Sequence, residues 1–178
     1  MKANFFLSIL FLPVVIISFI SGKQVNTDSN KSRQKNVFAV IKNNSFVFKA
    51  DTLDYKTKVR KALFPKEKWS FNKISIIKQL TLGDKKEFYY ILLTTKDGKI
   101  KVGKWLNKNG ETLSVNDEIA DGDLFEQSYL SCVGDGSCYP QVYQEGSQKM
   151  WGCSEDIKCY IDGKQDVNCQ SYKSILGY

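Results

Sequence analysis

"KISIIKQLTLGDKKEFYYILLTTKDGKIKVGKWLNKNGETL", Lys73–Leu113, decides the fold. Its apolar residues recur at every second position, the period of a half-buried strand and not of a helix. Ile74, Ile76, Leu80 and Leu82 share one face of the first run. The second run, Glu87–Thr95, is apolar on both faces, as a central strand is. The third alternates until Gly103, where the phase slips, which predicts a bulge at that glycine. Gly83-Asp84, Asp97-Gly98 and Asn109-Gly110 punctuate the runs at hairpin intervals. Together they predict an antiparallel meander of about four strands over residues 70–116.

Upstream, "VFAVIKNNSFVFKAD" (residues 37–51) holds two β-prone runs around Asn43-Asn44, a pair that tolerates the left-handed backbone of a tight hairpin. The period then changes. Tyr55, Val59, Ala62 and Leu63 recur at helical spacing, Asp51 or Thr52 can cap the start, and Pro65 marks the end. Lys56, Arg60 and Lys61 fall on the other face, where solvation alone accounts for them. The expected class is α+β: one helix packed on a curved antiparallel β-meander, then a loop-rich, disulfide-stapled C-terminal module. Cystatin-like and NTF2-like architectures share that arrangement as an analogy of layout, without any family motif.

The first residues are of another kind. Lys2 precedes a nearly unbroken apolar stretch from Phe5 to Ile20, and Ser21-Gly22 supplies small residues before Lys23. That is the layout of a secretory signal peptide. The stretch is shorter than the roughly 20 residues that span a bilayer, and Pro13 interrupts it. The expected organisation is a signal peptide at 1–22, a polar flexible leader at 23–35, an α+β body at 36–120 and a cysteine-rich module at 121–178. The mature chain is then secreted or periplasmic, with no stable membrane anchor after cleavage. The sequons at Asn30 and Asn43 matter only where the host glycosylates exported chains.

Export bears on the cysteines. All five lie between positions 132 and 169, spaced C-x5-C-x14-C-x5-C-x9-C, without the close pairs or histidines of a zinc site. In an oxidising compartment they are expected to form disulfides. "CVGDGSCY" and "CSEDIKCY" share one frame, which points to local pairing of Cys132 with Cys138 and of Cys153 with Cys159. Cys169 is then unpaired or an alternative partner.

Charge divides unevenly along the chain. Residues 23–120 carry 21 Lys/Arg against 10 Asp/Glu, a net of +11, while residues 121–178 carry 4 against 9, a net of −5. A basic body suits an acidic protein or an anionic glycan. Export and the lack of any reading motif argue against nucleic acid.

The chain has no histidine, which removes Ser-His-Asp and Cys-His machinery. No catalytic residue, cofactor or metal is therefore assigned, and the expectation is a non-enzymatic protein. "NDEIADGDLFE" offers Asp117, Glu118, Asp121, Asp123 and Glu126. Two of these carboxylates could form a glycosidase-type pair, or Asp117, Asp121, Asp123 and Glu126 could serve as calcium donors, without the ligand order of an EF-hand. An exposed acidic linker is the plainer account.

Phe88, Tyr89, Tyr90, Trp105 and Trp151 could line a groove, although such rings mostly pack. Tyr139, Tyr143, Trp151, Tyr160, Lys99 and Lys101 are the partner-binding candidates: tyrosines and a tryptophan in a stapled region beside a basic sheet. The function expected is that of an exported binding protein, an inhibitor or immunity-type molecule acting on a protein in the same extracytoplasmic compartment. The alternatives are a carboxylate-based envelope hydrolase and an anionic-glycan-binding protein.

Overall fold

A computed structural model describes residues 37–116, 124–154 and 169–176. The stretches expected to be signal peptide and leader lie outside the described residues, as do Asp117, Glu118, Asp121, Asp123, Cys159 and Tyr160. Among the described residues no helix is long and apolar enough to cross a membrane.

The class is α+β, mostly antiparallel sheet, and the first two-thirds follow the sequence closely. Strands β1 (Val37–Lys42) and β2 (Ser45–Phe48) pair across Asn43-Asn44, both at positive φ, 49° and 60°. Helix α1 (Thr52–Leu63) follows, its N-cap Asp51 accepting from the Leu53 and Asp54 amides at 2.9 and 3.0 Å. The meander then runs through β3 (Phe71–Leu80), β5 (Glu87–Thr95), β6 (Ile100–Asn109) and β7 (Thr112–Ser114), each pairing antiparallel with the next. β7 also pairs with β1, so the sheet curls round to β2. Inside the curl α1 buries Val59 against Phe38, Ile91, Leu93, Val102, Leu106 and Leu113.

No bulge occurs at Gly103: β6 keeps an unbroken register with β5, Leu92 opposite Gly103 and Ile91 opposite Lys104. The phase slip has another origin. Lys104 occupies an inward position in line with Val102 and Leu106 and is 1% exposed. Its Nζ donates to the carbonyls of Asn116, Glu126 and Gln127 at 2.9, 3.0 and 2.9 Å and lies 4.6 Å from the centre of the Tyr129 ring. A charged residue inside a strand breaks a hydrophobic pattern without breaking the strand. Gly103 faces the opposite layer, where an added Cβ would stand 2.9 Å from Pro140 Cβ.

The C-terminal third departs from the expected loop-rich module. After a single turn α2 (Leu124–Gln127), β8 (Ser128–Gly134) pairs with β6, and β11 (Cys169–Ile175) pairs with β8. The main sheet therefore runs across the boundary placed at residue 120. β9 (Pro140–Glu145) and β10 (Gln148–Cys153) form a hairpin joined in parallel by the two residues of β4 (Leu82–Gly83). This second, smaller sheet covers the outer face of β5 and β6. Phe88, Tyr90, Leu130, Val142 and Trp151 fill the space between them.

The disulfides differ from the local pairing. Cys132 bonds Cys153, and Cys138 bonds Cys169, so Cys169 is not the odd residue. Cys132 lies within β8, an extended strand that carries its side chain toward the second layer, where β10 ends in Cys153. Layer stacking, not the five-residue frame, selects the partners. The bridges pack together: the sulfurs of Cys138, Cys153 and Cys169 lie within 4.8 Å of one another.

Candidate binding groove around Trp69

The groove begins with the end of α1. Pro65 cannot continue the helix, and the Phe64 amide closes the last turn on the Arg60 carbonyl at 2.8 Å. The chain then returns through Glu67 to β3. Trp69 is held there, half-buried, by Phe64 and Phe71, at centroid distances of 4.8 and 5.3 Å. Arg60 Nη1 donates to the Glu67 carbonyl at 2.7 Å and fixes this return loop to the helix.

A cleft lies on each side of the indole. The first, about 390 Å³, runs between α1 and the start of β3, and its charged lining residues are Lys56, Arg60 and Lys68. None of the three enters an ion pair among the described residues. Lys56 and Arg60 stand four apart on α1 and are half-buried at its margin, while Lys61 is exposed. The second cleft, about 630 Å³, lies over the β5–β6 turn and has a predominantly apolar wall that includes Trp69 and Ile100. Its carboxylate, Asp97, is committed to the turn: it accepts from Thr95 Oγ1 at 2.6 Å and from the Lys99 amide at 3.1 Å. The Thr95 hydroxyl, with the Lys99 amide behind it, holds the Asp97 carboxyl below its ordinary range. Trp69 and Ser70 line both clefts, so the two form one groove crossing the ring.

A third cleft of about 490 Å³ opens where β2 faces β3. Lys78 pairs with Glu87 at 2.7 Å, and the Tyr89 hydroxyl donates to the same carboxylate. The Lys78 ammonium, then the Tyr89 hydroxyl, pull the Glu87 carboxyl down; burial, then Glu87, push the Tyr89 phenol up. These charges satisfy one another. With Lys108 and Glu111 also in its lining, this cleft carries as many acids as bases, so its net charge offers little to a ligand.

The residues nominated from sequence do not converge. Trp151 is 2% exposed and stacks on Phe125 at 5.5 Å, so it belongs to the core and cannot be a contact residue. Tyr139 and Tyr143 are half-buried, their hydroxyls bonded to Gln141 and Glu145. Lys99 is exposed in the turn beside the second cleft. Lys101 donates to the Asp135 carbonyl at 3.0 Å, and burial lowers its pKa, opposed by Asp135 and Asp97. Phe88, Tyr90 and Trp105 pack between the sheets, and burial drives the Tyr90 phenol far above its ordinary value. Among the acidic candidates only Glu126 is described, and Asn107 donates to it at 2.7 Å. Sequence reasoning assigned Lys56 and Arg60 to a solvated helix face and did not nominate Lys68 or Trp69. Their signal was slight: three cations and a ring flanking Pro65 where helix gives way to strand.

Comparison with protein-family models, curated proteins and solved structures returns no significant match.

Proposed function

We propose that the chain is an exported, non-enzymatic binding protein, and that its partner is another protein in the same extracytoplasmic compartment. The observation that carries the proposal is the groove at Trp69, where uncompensated positive charge and an apolar wall meet on one half-buried ring. Interfaces concentrate binding in such places, an aromatic or arginine anchor beside surface that can be desolvated. The leader-like N-terminus and two disulfides support an oxidising compartment. We carry the cystatin-like or NTF2-like layout only as an analogy, and an inhibitor or immunity-type role suits a groove at the margin of helix and sheet.

The test is affinity capture by the chain beginning at Lys23, in wild-type form and as the Arg60→Glu/Lys68→Glu double variant. Near-ultraviolet circular dichroism confirms that both are folded. One protein retained in stoichiometric amount by the wild type and lost from the variant supports the proposal. Equal retention by both forms contradicts it.

A further inference from the structure

Resting on that binding proposal, we infer that the groove takes an extended acidic peptide segment, with a carboxylate in the cleft beside α1 and an apolar side chain in the cleft over the β5–β6 turn. The first cleft carries three cations and, among its described lining, no acid. Arg60 commits Nη1 to the Glu67 carbonyl, which leaves the rest of its planar fork for a carboxylate. Lys68 is exposed and Lys56 lies within 3.5 Å of the Asn72 carbonyl, so both ammonium groups can swing onto an incoming acid. The second cleft asks for something else. Trp69 and Ile100 offer carbon, while Thr95 and Asp97 spend their polar atoms on each other and on the turn.

A sulfated or uronic-acid glycan meets this pair of clefts less well. Thr95 and Asp97 already spend their polar atoms on the turn, which leaves Ser70 and Lys96 for its hydroxyls, and its repeated negative charge would face the Asp97 carboxylate. A peptide can place acid and hydrocarbon on neighbouring residues. The juxtaposition on Trp69 therefore also sets a direction: acidic end toward α1, apolar end toward the turn.

The test titrates the chain from Lys23 onward with fluorescein-labelled synthetic octapeptides, one half aspartate and glutamate and the other half leucine and alanine. Two controls replace every acid by its amide, or every leucine by serine, and low-molecular-weight heparin serves as a sulfated-glycan probe. The acidic–apolar peptide is expected to bind about tenfold or more tighter than either control, a difference of about 1.4 kcal/mol. Arg60→Gln/Lys68→Gln is expected to cost about the same factor, and salt to weaken binding only moderately. Equal binding of the three peptides, or heparin bound while the acidic peptide is not, overturns the inference. Capture by the charge-reversed variant separates the two levels. If capture is lost on charge reversal but the peptides fail, the ligand class is wrong and the groove stands; if capture survives, the groove itself is wrong.

Discussion

Lys104 shows how one residue can mislead a pattern and organise a fold. An ammonium has three N–H donors, and three main-chain carbonyls from Asn116, Glu126 and Gln127 meet them. The bonds tie both ends of the acidic segment to the middle of β6. Lys104→Met keeps the stem and removes the donors to these three carbonyls, one of them in a fully buried bond, and is expected to cost about 3 kcal/mol in urea unfolding. The carboxyls of Glu87 and Asp97 make a second residue-scale prediction. Both are held below their ordinary values of 4.5 and 3.8, so folding binds fewer protons than the unfolded chain. Their stabilisation is complete above about pH 4.5 and is lost as pH falls through the depressed values. Urea midpoints measured from pH 7 down to pH 2.5 should fall on that acid limb, and Glu87→Gln should make the fall shallower.

At the level of elements, what was legible was local. The Asn43-Asn44 hairpin, the helix capped by Asp51 and the meander from Phe71 each have their signal within a few neighbouring residues, and each is present. What was not legible was one layer's effect on another. Gly103 looked like a bulge, yet it is the place where Pro140 and Trp151 approach β6 closely. Gly103→Ala is therefore expected to destabilise by about 1–3 kcal/mol through overpacking, read as a lower urea midpoint with an unchanged slope. The repeated cysteine frame failed for the same reason, because strand stacking and not chain proximity brought Cys132 to Cys153. That bridge closes a separation of 21 residues, worth roughly 3 kcal/mol by loop entropy. The Cys132→Ser/Cys153→Ser variant should lose about that much. A loss near zero would show that the two layers hold together without it.

For the molecule as a whole, charge and architecture point to the same place. The basic excess of residues 23–120 is partly spent in the Lys78–Glu87 seam and in the clamp of Lys104, whereas Lys56, Arg60 and Lys68 keep theirs beside the half-buried Trp69 ring. Tyr139 and Tyr143, attractive in the sequence, have their hydroxyls bonded to Gln141 and Glu145 of the β9 strand. The binding proposed above thus falls at the junction of helix, return loop and sheet, in clefts lined by no residue of the cystine-linked layer. The most direct measurement is amide hydrogen exchange on the free chain and on the complex with its captured partner. Protection is expected to rise at residues 53–60, 68–72 and 95–100, around the two clefts. Protection confined to β9, β10 or β11, with those three stretches unchanged, would contradict the assignment of the Trp69 groove.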